Sequence, residues 1–238
     1  MIRRKTAMEI QARLRALGNT EKAKILSGYF KTGPGEYGEG DAFLGIQVPV
    51  LRKVAREHQD LSLKEAEKLL HSRIHEERLV ALLILIHLFS KGTEILREEV
   101  YALYLKSTGL INNWDLVDLS APQIVGAYLR DRGKGPLCRL AKSTSLWERR
   151  IAILATFHFI KENRFEETLR ISKMLLTDQE DLIHKAAGWM LREVGKRHVA
   201  TLKAFLSEHY REMPRTMLRY AIERFPEPTR KKYLRGEV

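Results

Sequence analysis

Apolar residues recur at three- and four-residue spacing through segments 5–17, 20–31, 49–58, 62–72, 76–91, 93–107, 114–131, 146–162, 166–177, 181–197, 198–211 and 214–225, and each of these predicts an amphipathic helix. No stretch alternates with the period of two that a half-buried strand needs. Helix-start chemistry supports several of the segments. Ser62 with Glu65 three residues on reads as a capping box, Asn113 precedes Trp114, and Pro214 suits a first-turn position. Pro122 has no N–H to give to the Asp118 carbonyl, so the helix over 114–131 must kink or stop there. The longest apolar run, Leu79 to Phe89, contains His87 and is too short for a bilayer; it reads as a buried helix.

The helices repeat. Arg78-Leu79-Val80-Ala81-Leu82-Leu83 aligns with Arg149-Arg150-Ile151-Ala152-Ile153-Leu154 (78 to 149, an offset of 71), and His87 falls over His158. Steps of about 35 residues from Arg149 reach Trp114 backwards, and His184 and then Arg219 forwards. Two helices per such step describe stacked helical hairpins, so the expected fold is all-α, a HEAT-like helical-repeat solenoid with a concave face. With no linker to divide it, 1–238 is expected to be a single domain. Taken from a common starting position in successive second helices, Trp114, Asp118, Arg150 and Trp189 point within one side of the wall at ~100° per residue.

Charge then narrows the partners. The chain of 238 residues carries formal net charge +12, and at 44% hydrophobic and 30% charged residues that excess sits on a folded surface. A sequence pI near 9.8 is the footprint of a polyanion binder. The single cysteine, Cys138, excludes an intrachain disulfide, and Met1 to Gln11 has no apolar stretch of signal-peptide length, so a reducing, cytoplasmic setting is expected.

Against that background Asn112-Asn113-Trp114-Asp115-Leu116-Val117-Asp118 is the most informative stretch, because it sets an indole and a carboxylate one helical turn apart. A core tryptophan beside a solvated aspartate is the ordinary alternative, and Asp115 also reads as a helix-start charge. Arg78, Arg149 and Arg219 open helices in register and together read as a ladder of phosphate contacts; singly, each could pair with a nearby glutamate such as Glu77 or Glu148. Gly188 beside Trp189 costs ~1 kcal/mol in a helix interior, so either a ligand or a neighbouring helix comes close there. Gly33-Pro34-Gly35-Glu36-Tyr37-Gly38 formally matches a phosphate-binding pattern, but Glu36 and Glu39 oppose phosphate and no strand precedes it, which leaves a flexible loop. His71 and His75 lack a third ligand, Cys138 has no partner to activate it, and neither metal nor cofactor is expected.

Four motifs in order, Phe43-Leu44-Gly45-Ile46-Gln47-Val48-Pro49, Asn113-Trp114-Asp115-Leu116-Val117-Asp118, Trp147-Glu148-Arg149-Arg150-Ile151-Ala152-Ile153 and Lys185-Ala186-Ala187-Gly188-Trp189-Met190-Leu191-Arg192-Glu193, resemble the AlkD-type DNA alkylation-repair glycosylases from about residue 20 onwards. The resemblance implies a HEAT-like superhelix that clasps duplex DNA and excises cationic N3- and N7-alkylated purines in base excision repair. By motif, Asp118 resembles the catalytic carboxylate, Trp114 and Trp189 the active-site indoles, and Arg150 the phosphate-contacting arginine. Arg192 is similar to a further backbone-contacting position. Arg149, Lys185 and Arg219 complete the expected DNA-binding set. The expected partner is alkylated double-stranded DNA, bound by a monomer away from membranes. Two rival readings are a non-catalytic solenoid for bent or branched DNA and a scaffold for an acidic protein.

Overall fold

The computed structural model describes residues 5–238; Met1 to Arg4, part of the stretch read for signal-peptide character, lie outside the described residues. The described residues form helices joined by turns and loops, with one isolated parallel bridge between Ala42 and Ile74. It packs as two compact units, 1–116 and 117–238.

The first unit contains α1 (Ala7–Ala16), α2 (Thr20–Tyr29), α3 (Val48–Glu57), α4 (Leu63–Leu70), α5 (His75–Lys91) and α6 (Glu94–Lys106). Its centre is α5, which packs on α1, α3, α4 and α6 and buries Leu79, Val80, Leu82, Ile84 and Leu85. Ser62 caps α4 by accepting from Glu65 N–H, but the Glu65 carboxylate is turned to Ala7 N–H at 2.8 Å rather than back to the cap. The capping box of this unit is instead Thr6 with Glu9.

The Phe43–Pro49 motif owes its shape to Glu76, whose buried carboxylate accepts from the N–H groups of Leu44 (2.9 Å), Gly45 (2.8 Å) and Ile46 (3.2 Å). Gly45 sits at φ +81°, and a Cβ there would lie 2.1 Å from Asn19 O, so only glycine fits. Segment 33–41 is a string of turns closed by its own acids: Glu36 Oε2 accepts from Gly33 N–H and Glu39 Oε2 from Gly35 N–H.

The element α7 (Trp114–Ser120) ends before Pro122, where the expected interruption takes the form of a π-helical turn, Pro122–Gly126, with Gly126 N–H bonded to Ala121 O at 2.9 Å. The second unit continues with α8 (Gly135–Ala141), α9 (Leu146–Ala155), α10 (Phe157–Lys161), α11 (Glu166–Met174), α12 (Asp181–Arg197), α13 (Val199–His209), α14 (Arg215–Ala221) and α15 (Glu227–Arg235). The periodicity did not anticipate α8 or α15, and the helix expected over 146–162 divides at Thr156 into α9 and α10.

In this unit α12 is central and packs on α9, α13 and α14. A Cβ at Gly188 would lie 2.5 Å from Met217 O and 2.6 Å from Tyr220 Cβ, so the glycine admits a neighbouring helix, α14. No helix among the described residues is long and apolar enough to cross a membrane.

Candidate active site

In the second unit Asp118, on α7, is joined to Arg150, on α9, by a two-pronged ion pair. Arg150 Nε donates to Oδ1 and Nη2 to Oδ2, each at 2.8 Å, while Nη1 donates to Leu182 O at 2.6 Å. This fork is the strongest geometry that a guanidinium and a carboxylate can adopt, and it fixes the carboxylate plane as well as its position. Arg150 is only 5% exposed. The guanidinium therefore holds Asp118 and does not stand on the surface as a separate cation. The carboxylate side retains partial access to solvent, at 18%.

Trp189, half-buried on α12, donates from Nε1 to Glu193 Oε1 at 3.1 Å, and Lys196 Nζ meets the same oxygen at 2.7 Å. Its ring lies 6.0 Å from that of Phe157. Glu193 and Phe157 thus set the attitude of this indole, and neither was singled out for that role from sequence.

In the first unit the half-buried Trp114 stacks on Phe30 (5.3 Å, 25°) and meets Tyr29 edge-on at 6.0 Å. Phe30 also stacks on Phe43 (5.1 Å, 13°), and Phe43 on His75 (4.6 Å, 23°). These rings line a cavity of about 740 Å³, together with Asp115. Both His75 nitrogens face carboxylates: Nδ1 lies 3.1 Å from Asp41 Oδ2 and Nε2 2.8 Å from Asp115 Oδ2. Sequence reasoning weighed His75 only as half of a metal pair with His71, which instead lies exposed with Nδ1 bonded to Glu67 O. Among the described residues no group of three or more His, Cys, Asp or Glu side chains has an arrangement that could hold a metal ion.

The arginine ladder has a structural cause. Ser72 Oγ accepts from Ile74 N–H, and Arg78 Nη1 donates to Ser72 O. At Ser143 the arrangement recurs, with Ser145 N–H and Arg149 Nη1. At Asp178 it recurs again, with Glu180 N–H and His184 Nε2. In each case a short side chain caps the residue two positions on, and a cation-forming side chain six positions on grips its carbonyl. Arg78, 3% exposed, also pairs with Asp41 at 2.6 Å, and Arg149 pairs with Asp178 at 2.6 Å. These two arginines staple hairpins, which is why one sign repeats in register. Among the other expected DNA contacts, Lys185 lies 2.7 Å from Asp181, Arg192 pairs with Glu223, and Arg219 is exposed on α14.

The fold resembles that of a solved structure described as "Predicted DNA alkylation repair enzyme from Enterococcus faecalis", with TM-score 0.68 and 17% identity over 88% of this chain and 97% of that one. This neighbour shows an all-helical repeat fold shared across a wide sequence distance. The family model for DNA alkylation repair enzymes matches residues 10–225, and the chain belongs to that family. No curated protein matches the sequence.

Proposed function

We propose that the protein is a monofunctional DNA glycosylase that hydrolyses the N-glycosidic bond of cationic N3- and N7-alkylated purines in duplex DNA. The observation that carries this reading is the Asp118 carboxylate, partly open to solvent and locked by the Arg150 fork in a chain of this family. Cleaving a bond to deoxyribose builds positive charge at the anomeric carbon, and a carboxylate fixed beforehand stabilises that charge without reorganising during the reaction. A carboxylate in this position can also orient or deprotonate the attacking water.

An alkylated purine that is already cationic leaves as a neutral base, so one carboxylate suffices and no separate general acid is required. The indole faces of Trp114 and Trp189 are each proposed, within their own unit, as surfaces that attract a cationic nucleotide, for ~0.5–2 kcal/mol. Lys185, Arg192 and Arg219 are proposed as backbone contacts, with Arg150 and Arg149 acting chiefly inside the protein. Incubation with methylated duplex DNA, followed by chromatography of the released bases, tests the reading. Release of 3-methyladenine or 7-methylguanine is expected. Salt-sensitive binding without base release would leave a non-catalytic DNA binder.

A further inference from the structure

The polar core of the first unit is centred on His75 at the start of α5. The ring is 2% exposed, and both nitrogens meet carboxylate oxygens, Asp41 Oδ2 at 3.1 Å and Asp115 Oδ2 at 2.8 Å. An ionised carboxylate only accepts hydrogen bonds, so a neutral imidazole would aim a lone pair at one of these two oxygens. The doubly protonated ring satisfies both. Asp41 additionally accepts from Arg78 Nη2 at 2.6 Å and from Asn112 Nδ2 at 3.3 Å. The charges facing the ring then balance, with Arg78 and the imidazolium against Asp41 and Asp115.

Two routes lead from this ring to Trp114. One is covalent, because Asp115 is the next residue of α7, so a fixed Asp115 carboxylate fixes the first turn of that helix. The other is through packed rings, since His75 lies 5.0 Å from Phe30 and Phe30 stacks on Trp114. Asp41, at the end of the glycine-rich acidic segment 33–41, closes the bridge from the opposite nitrogen.

We propose that His75, as an imidazolium bridging Asp41 and Asp115, is a positioning residue for Trp114 and through it sets the rate of base excision. This rests on the glycosylase reading for its kinetic part and on the ring geometry alone for its structural part. Burial pulls the His75 pKa down, but the hydrogen bonds to Asp115 and Asp41 more than offset it despite the opposing charge of Arg78, and the net direction is upward from 6.5. The bridge therefore keeps its charge to a higher pH than a free imidazole would, and opens as pH rises through that raised value.

The test follows the Trp114 indole N–H resonance, assigned by its loss in Trp114→Phe, through a pH titration of the intact protein. In wild type, and in Asp118→Asn, which is chosen to need no excision, the resonance is expected to titrate with a midpoint above 6.5. His75→Phe keeps a flat ring for Phe30 and Phe43 but loses both hydrogen bonds. It is expected to displace the resonance, abolish its titration, and slow single-turnover excision by roughly 10- to 100-fold, the scale of a misplaced substrate contact, with duplex affinity unchanged.

Asp115→Asn, which keeps an acceptor and removes the charge, is expected to lower the midpoint, and it carries the test alone should His75→Phe not fold. Folded variants with the wild-type resonance, titration and rate would overturn the proposal. Absence of excision by wild type itself would fail the glycosylase reading, and the titration would still decide whether His75 positions the indole.

Discussion

Asp118 and Arg150 act as one unit, because the guanidinium fork fixes both oxygens of the carboxylate. The motif picked out both side chains, but only folding reveals that they are partners, 32 positions apart. The arginine expected at a phosphate holds a carboxylate in this structure. The consequence can be tested with Arg150→Gln, which removes the charge and cannot form the fork. Single-turnover excision is expected to fall by about 10-fold or more, while the salt slope of DNA binding stays within error of wild type. A shallower slope with an intact rate would return Arg150 to the phosphate path. Removing the side chain altogether with Arg150→Ala should destabilise the fold by about 3 kcal/mol in denaturant unfolding, because Asp118 and Leu182 O lose their donors.

At the scale of elements, periodicity located the long helices within a few residues, since α5 and α12 each present several turns to a core. It missed α8 and α15 for a physical reason. In α8 only Leu137 and Ala141 are buried, and in α15 only Tyr233, too few apolar positions for a 3.6-residue pattern to register. The Pro122 interruption was legible because the missing N–H is a property of the residue itself, whereas the π-turn that accommodates it depends on its neighbours. The repeat was legible too, but not what its cations hold within the protein. The serine or aspartate cap that explains the in-register cations lies six positions upstream, outside the helix being aligned. Gly188 gives the direct test of element packing. Gly188→Ala forces a methyl against the Met217 carbonyl and should cost about 1–3 kcal/mol by thermal unfolding, despite the better helix propensity of alanine. A stabilised variant would show that α14 does not lie against this glycine.

For the whole molecule, net charge and pH set the behaviour. At formal net charge +12, duplex binding should weaken steeply and log-linearly with salt. Stability has two pH limits from the buried network. The His75 contribution is fully present below its unfolded value near 6.5 and is lost as pH rises through the higher folded value. For Asp41, burial acts to raise the pKa, but the bonds and charges of His75 and Arg78 prevail and lower it from 3.8, so its contribution is lost as pH falls through that depressed value. Melting temperature should therefore decline as pH rises above about 6.5, and His75→Phe should flatten that decline. An unchanged decline in the variant would assign it to other groups. The central claim, that one fixed carboxylate drives base release, meets its most direct test in the single-turnover rate of Asp118→Asn on methylated duplex, measured alongside its duplex affinity. A loss of about 100-fold or more in rate with affinity retained is expected; excision at the wild-type rate would contradict the account.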